Sequence, residues 1–326
     1  MELNWKTKVV IGIDLGGTKI SGALFTLEGD IITKTDSLLQ WKSGTEVGSL
    51  ILEHIFNLIE TAKASNLKVD AIGICVPGIS NKRNNTVWVP NISGWENYPL
   101  YEEIKNMIKD ESISITIEND RSCYILGETW KGTAKGCRNA IFIAVGTGIG
   151  AGIIVDGKII SGAEGVAGAI GWMALNQPYL SDYDACGNFE YYASGEGIAQ
   201  AAKKLLKQGH KSKMLKSKEL STHDVFYAYK YKDPVAMKVM DQAIEYWGMA
   251  VANLVSIFNP EKIIFGGGVF GPAVQFLDRI MQESNKWAQP ISITQVRLES
   301  SSLKGEAGLI GAGYFAIKSR DKFKFS

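Results

Sequence analysis

Residues 8–30 read KVVIGIDLGGTKISGALFTLEGD. The first eight form an apolar, β-branched run that stops at Gly16-Gly17, which predicts a strand ending in a tight turn. A second strand is predicted from Lys19 to Leu27, and Glu28-Gly29-Asp30 reads as a hairpin turn into a third strand over 31–36. Much the same layout recurs downstream. Residues 139–146 (NAIFIAVG) predict a strand, Gly146–Gly150 a glycine-rich turn, 151–155 a strand, and Asp156-Gly157 a hairpin turn. Gly16 and Gly146 stand 130 positions apart, and the hairpin glycines Gly29 and Gly157 stand 128 apart. A near-copy in layout, though hardly in sequence, implies an internal duplication and two similar lobes facing one cleft.

Outside these units, apolar spacing at Val47, Leu50, Ile51, Ile55, Leu58 and Ile59 predicts a helix over 46–64. A strand over 69–76 stops at Pro77-Gly78, and a strand over 113–118 runs into a helix over 119–130. Helices are predicted over 195–208 and 234–258, the latter long, apolar on one side and stopped by Asn259-Pro260. A strand over 262–265, a helix over 270–284, a strand over 292–298 and a small-residue helix over 305–317 complete the chain. Strands alternating with helices predict the α/β class.

The 326 residues suit two domains, and 45% hydrophobic with 21% charged residues is a globular composition. A net charge of +1 gives no overall attraction to nucleic acid or to a membrane surface. Met1 to Lys8 is polar, without the layout of a signal peptide, and no apolar stretch approaches the length of a bilayer span. Cys75, Cys123, Cys137 and Cys186 are scattered, as for reduced cytosolic thiols. Residues 203–218 hold seven lysines and no acid, read as a solvated helix face or surface loop rather than a nucleic-acid site. The expectation is a soluble, cytoplasmic protein.

Asp14-Leu15-Gly16-Gly17-Thr18-Lys19 joins two strands by a turn whose glycines permit positive φ and let backbone N–H groups approach an anion. Asp14 is placed to hold Mg²⁺ through water. An ordinary hairpin with a surface carboxylate is the competing reading. Gly146-Thr147-Gly148 offers a second such turn in the equivalent unit, or else a plain glycine-rich β-turn. Gly266-Gly267-Gly268 would let a flat ring such as adenine lie on bare backbone.

With those segments in hand, the chain resembles the ROK family of bacterial sugar kinases and related repressors. The resemblance runs from about Val9 to Ala316. It is carried in order by IGIDLGGTKISGAL, GICVPG, VPNISGW, IENDRSCYILGE, FIAVGTGIGAGIIVDGKIISGAEGVAGAIG, IIFGGGV and KGEAGLIGAG. The resemblance implies a ribonuclease-H-like, actin-like ATPase fold with two lobes around a cleft. It implies transfer of a phosphoryl group from ATP·Mg²⁺ to a sugar hydroxyl, most often O6 of a hexose. The aspartate matching Asp120 is then the catalytic base, and Asn119 and Asn91 match sugar-binding residues. Asn119-Asp120 directly after a strand also reads as a helix N-cap, and the two readings are compatible.

One segment breaks the pattern. Where the family usually reads Glu-Ile-Gly-His, this chain has Ala169-Ile170-Gly171-Trp172. The resemblance assigns the missing glutamate and histidine to the sugar, and the histidine also to a structural zinc whose other ligands come from a CxCGxxGC cluster. Aligned on Gly187 and Glu190, residues 181–190 (SDYDACGNFE) put no cysteine in those three positions, and Cys186 falls out of register. One cysteine and no histidine cannot make a four-ligand site, so no zinc is expected. Glu190 matches the surviving sugar-contacting carboxylate, and Trp172 adds an apolar face for stacking on a ring, or else fills the core where zinc tied the loop. The substrate is therefore expected to differ from plain glucose at C1 or C2, as in a ketose, an amino sugar derivative or a cyclitol.

Three rivals remain. A repressor of the same family would need a winged helix-turn-helix ahead of the ATPase-like body, for which the residues before Asp14 leave no room. A sugar-binding regulator that has lost catalysis is favoured by the altered 169–172 segment and disfavoured by intact Asp14, Lys19, Asp120 and both glycine turns. A non-sugar acceptor is the third. A homodimer is expected from the resemblance alone. The expected domains are a small lobe of 1–118 closed by the last helix, about 305–326, and a larger lobe of 119–304.

Overall fold

The computed structural model describes residues 7–216 and 219–323. The polar start before Thr7, the last two residues of the lysine run and the tail after Phe323 lie outside the described residues. Two compact units emerge. Described residues up to Gly136, Ser161–Ala167 and those from Ser302 onward form the first, and Cys137–Ile160 with Gly168–Ser301 form the second.

The first unit contains β1 (Thr7–Leu15), β2 (Lys19–Thr26), β3 (Ile31–Leu38), α1 (Thr45–Ala64), β4 (Leu67–Val76), the short pair β5 (Ile79–Asn81) and β6 (Thr86–Trp88), α2 (Leu100–Ile108), β7 (Ser114–Asn119) and α3 (Asp120–Trp130). The second contains β8 (Ala140–Val145), β9 (Ile149–Val155), β10 (Lys158–Ile159), α4 (Asn188–Ala193), α5 (Gly195–Lys207), α6 (Thr222–Lys230), α7 (Pro234–Phe258), β11 (Lys262–Gly266), α8 (Leu277–Ser284), α9 (Pro290–Gln295) and β12 (Arg297–Ser300). The closing helix α10 (Ala307–Phe323) returns to the first unit.

The sheet orders are β3-β2-β1-β4-β7 and β10-β9-β8-β11-β12. In both, the first three strands meander antiparallel and the last two run parallel to the central one. The duplication read from the glycine spacing is therefore a duplication of sheet topology.

Both faces of the first sheet are covered, which is why β1 is a continuous apolar run rather than an alternating one. On one face α1 packs Val47, Ile51, Ile55 and Leu58 against Ile11, Ile13, Leu24 and Ile72. On the other, Leu309, Ile310 and Ala316 of α10 join Val10, Phe25 and Ala71. Here the backbones nearly touch. A Cβ at Gly73 would lie 2.0 Å from the Ala312 carbonyl oxygen, and one at Gly311 would lie 1.9 Å from that of Cys123. The small residues of α10 are thus a packing requirement of β4 and α3.

In the second unit α7 begins at Asp233, whose side chain accepts from the Val235 and Ala236 amides ahead of Pro234 at the first helical position. It ends at Asn259 in the left-handed region, φ 44°. Val239, Met240, Ala243, Trp247 and Val251 bury it in the core of that unit. Among the described residues no helix is long and apolar enough to cross a membrane.

Two predicted elements differ. The strand expected over 292–298 is α9 followed by β12. The Gln289 side chain accepts from the Ile291 and Ser292 amides and Pro290 follows it, so a cap and a helix-starting proline override the β-branched alternation. The helix expected over 270–284 is a run of tight turns until α8 begins at Leu277. Gly271-Pro272 interrupts it, because proline removes a donor and crowds the preceding turn.

Candidate functional site

The first unit concentrates its polar groups at the carboxyl ends of its three parallel strands. Register pairs Asp14 of β1 with Cys75 of β4, and Cys75 with Glu118 of β7. Asn119 and Asp120 come directly after, at the start of α3. This is where an open α/β sheet binds ligands, since the strands end there and side chains from several of them converge.

Asp14 carries a carboxyl pushed up to about 6. Burial is the main cause, the hydrogen bond from the Cys75 thiol opposes it, the negative charge of Asp120 adds to it, and Lys19 pulls it back. The bare backbone of Gly308, in the first turn of α10, stands against this carboxylate, where a Cβ would come within 2.6 Å of Asp14 Oδ2. Asp120 is also raised, again chiefly by burial, against the lowering effects of Arg121 and of the Tyr124 hydroxyl. Its Oδ1 accepts from the Arg121 amide at 2.8 Å. Although packed in protein, its side chain keeps 26% of its surface open, so the carboxylate is deep but reachable. Burial and, for Asp14, the neighbouring charge of Asp120 make the negative form of these carboxylates costly, a cost that a bound cation would offset.

Asn119 is the N-cap of α3, its Oδ1 accepting from the Ser122 amide at 2.9 Å. Its Nδ2 donates to Glu118 Oε1 at 2.9 Å. The cap reading and proximity to Asp120 therefore hold together. Asn91 lies on a different connection of the same unit, the turn after β6, which is braced by Trp95. That indole is fully buried, stacks on Tyr98 at 4.3 Å and donates to the Gly44 carbonyl at 2.9 Å, while Asn91 is left exposed.

The turn Gly16–Lys19 is closed by a bond from the Gly16 amide to the Lys19 carbonyl at 2.9 Å, and leaves Gly17, Thr18 and Lys19 exposed. Neither Gly16 nor Gly17 has positive φ, nor do Gly146 and Gly148. The left-handed backbone that glycine would permit in these turns is not used by them. Gly17 and Gly146 supply bareness, since a Cβ on either would meet nothing within 4 Å and an incoming group can approach the backbone, whereas a Cβ on Gly148 would come within 2.8 Å of Glu190 Oε2.

In the second unit the Gly146–Gly148 turn is closed by the Gly146 amide on the Gly148 carbonyl at 2.9 Å, and is tied to α5 by the Gly195 amide on the Gly146 carbonyl at 2.8 Å. Thr147 is exposed at its tip. Glu190 supports this turn from below, Oε2 accepting from the Ile149 amide at 2.6 Å. Burial raises its carboxyl and that bond opposes the rise. Its Oε2 also lies where a Cβ on Gly171 would come within 2.8 Å, so Glu190 is wedged between the turn and the Ile170–Trp172 segment. Trp172 is 58% exposed, so it does not fill a core. In the Gly266–Gly268 run, Gly267 does need glycine: its φ is +88° and a Cβ would lie 2.4 Å from the Val145 carbonyl oxygen. Gly268 has nothing within 4 Å, which leaves an open stretch of backbone beside β8.

The Cys186 thiol's only described hydrogen-bond partner is the Gly187 carbonyl at 3.7 Å, and among the described residues no group of three or more His, Cys, Asp or Glu could hold a metal. Tyrosines hold this segment instead. Tyr183 packs edge-on against Tyr179, Tyr191 and Tyr192, its hydroxyl bonds that of Tyr192 at 2.7 Å, and Tyr192 stacks on Tyr246 at 4.5 Å. Sequence reasoning missed this cluster, and also Cys75, Glu118, Tyr124 and Gly308. No local pattern marks them, since they meet only through strand order and the return of α10.

The family model for the ROK family matches residues 10–319. A glucokinase of Halalkalibacterium halodurans is 31% identical over 316 residues, 93% of each chain. A xylose repressor of Caldicellulosiruptor bescii is 31% identical over 322 residues, covering 95% of this chain and 78% of its own. The crystal structure of a ROK family glucokinase from Streptomyces griseus in complex with glucose and AMPPNP superposes with a TM-score of 0.73 at 27% identity, over 95% of this chain and 99% of that one. The α/β architecture is the ribonuclease-H-like, actin-like ATPase fold. By sequence along nearly its whole length and by fold, the chain belongs to the ROK family.

Proposed function

We propose that this chain is an ATP-dependent sugar kinase, transferring the γ-phosphoryl group to a hydroxyl (O6 of a hexose or hexose derivative) of an acceptor other than plain glucose. The observation that carries the reading is Asp120, a deep, reachable carboxylate whose affinity for a proton is raised by burial, at the end of β7 beside Asp14. A base of that kind suits a hydroxyl nucleophile. Asp120 takes the hydroxyl proton while the acceptor oxygen bonds to the γ-phosphorus and the bond from phosphorus to the bridging oxygen breaks, releasing ADP. Asn119, fixed at both ends of its carboxamide, and Asn91 bind the sugar's other hydroxyls. The Gly16–Lys19 and Gly146–Gly148 turns, whose Gly16 and Gly146 amides close them, receive phosphate oxygens at their exposed backbone around Gly17-Thr18 and Thr147, and the Gly266–Gly268 backbone receives adenine. Asp14 fits a hard cation such as Mg²⁺, since its neighbour Asp120 is also acidic and an oxygen donor is what that ion takes. Bound there, Mg²⁺ would offset the negative charge of the triphosphate.

The non-glucose clause rests on Ala169 and Trp172, where the family's glutamate and histidine are missing, and on the exposed indole, which offers an apolar face to a ring. A catalytically inactive sugar-binding regulator is the second reading, favoured by that same segment and by the similarity to a repressor. The test is ADP release from ATP·Mg²⁺ against a panel of hexoses, amino sugars, ketoses and cyclitols, with Asp120→Asn alongside. Turnover on a non-glucose acceptor, reduced about 10²–10⁴-fold by Asp120→Asn, is the expected result. Glucose as the best acceptor by a wide margin in kcat/KM refutes the specificity clause. Silence across the panel, with sugar still raising the unfolding temperature, favours the regulator.

A further inference from the structure

The geometry assigns the ion pair between Glu118 and Lys82 the job of setting the orientation of Asn119, and through it the start of α3 and Asp120; this rests on the kinase reading above. Glu118 is 3% exposed and sits beneath the site at the end of β7. Its Oε1 accepts from both the backbone amide of Asn119, at 3.1 Å, and the Asn119 side chain, at 2.9 Å. Its Oε2 accepts from Lys82 Nζ at 2.8 Å. The other end of the Asn119 carboxamide accepts from the Ser122 amide at 2.9 Å. The carboxamide is therefore held at nitrogen by Glu118 and at oxygen by the helix it caps.

The two oxygens of Glu118 thus serve three donors, two on Oε1 and one on Oε2. A carboxylate this buried calls for a charged, hydrogen-bonded partner. Lys82 is that partner. It comes from the β5–β6 hairpin, its ammonium lies 5.8 Å from the centre of the Phe315 ring, and its side chain is 62% exposed. Together with Thr86, Tyr101 and Thr116 it lines a cavity of about 190 Å³. The charge that fixes a buried asparagine thus stands where solvent and reagents reach it. Lys82 touches no reacting atom in this scheme. It is a positioning residue.

The test uses the full chain, ATP and the acceptor found in the panel. Lys82→Met is expected to lower kcat about tenfold or more and to raise KM for the sugar, while KM for ATP stays at the wild-type value. Glu118→Gln is expected to do the same, since its amide would face the Lys82 ammonium donor to donor. Lys82→Arg, and Lys82→Cys treated with 2-bromoethylamine to rebuild an amine, are expected to recover most of the loss, with treated wild type as control. A purely structural role would lower the unfolding temperature and the folded fraction without that split between the two substrates. Lys82→Met with wild-type kcat and sugar KM, in a protein whose Asp120→Asn variant is dead, overturns the positioning role alone. A wild type silent on every acceptor overturns this role together with the kinase reading.

Discussion

Replacing Asp14 by asparagine is expected to make the metal-free, nucleotide-free protein more stable above pH 7 and to leave it unchanged near pH 4. The folded chain holds the Asp14 proton up to about pH 6, whereas the carboxyl of an unfolded chain loses it near its ordinary value of 3.8. Between those values the native state binds the extra proton. Stability from this group is therefore fully present below the lower value and falls as pH rises through the upper one. At about 1.4 kcal/mol per pH unit the loss amounts to about 3 kcal/mol. Asparagine keeps an oxygen for the Cys75 thiol while removing both the buried charge and its repulsion from Asp120. Calorimetric unfolding in EDTA at pH 4, 6 and 8 reads the effect. The variant should melt with the wild type at pH 4 and several degrees above it at pH 8, at roughly 2–4 °C per kcal/mol for a unit of this size. Equal melting at pH 8, or an offset that does not change with pH, would refute the reasoning.

Two glycines should separate packing from ligand approach. Gly311→Ala drives a Cβ to 1.9 Å from the Cys123 carbonyl and is expected to cost about 1–3 kcal/mol or more of unfolding free energy, whereas Gly17→Ala meets nothing within 4 Å and should leave the melt unchanged while raising KM for ATP. Tyr183→Phe deletes the 2.7 Å bond to the Tyr192 hydroxyl and is expected to cost roughly 1 kcal/mol, read by thermal unfolding. A zinc-selective chelator, with Mg²⁺ kept in the buffer, should leave the melts of both wild type and that variant unmoved, and a drop would point to a metal in the loop.

The fold was largely legible because its signals are local. The apolar run before Gly16, the matching hairpin spacing at Gly29 and Gly157, and the amphipathic pattern of α1 each require only neighbours in sequence. Where two local signals competed, as at Gln289-Pro290 against the β-branched alternation that follows, the cap and the proline won and a helix formed. The acidic pair was half legible. The strand-end position of Asp14 and the cap position of Asn119-Asp120 can be read directly, but the raised proton affinity of both carboxyls comes from burial that no local pattern records. Glu118, Lys82 and Cys75 were invisible for a related reason. Their partners lie across parallel strands or on the β5–β6 hairpin, far away along the chain. Trp172 shows the reverse case: a substitution conspicuous in sequence whose exposure only the fold could decide.

The return of α10 to the first unit has a consequence for biosynthesis. A ribosome makes β1 to α3 early, yet the grooves at Gly12 and Gly73 have no cover until residues 307–316 leave the exit tunnel. The second unit, encoded almost without interruption between them, has all its strands and helices available first. Of the two units, the one whose strands are made earlier thus lacks part of its core until the last helix is made, and until then its glycine-lined β-surface stays uncovered.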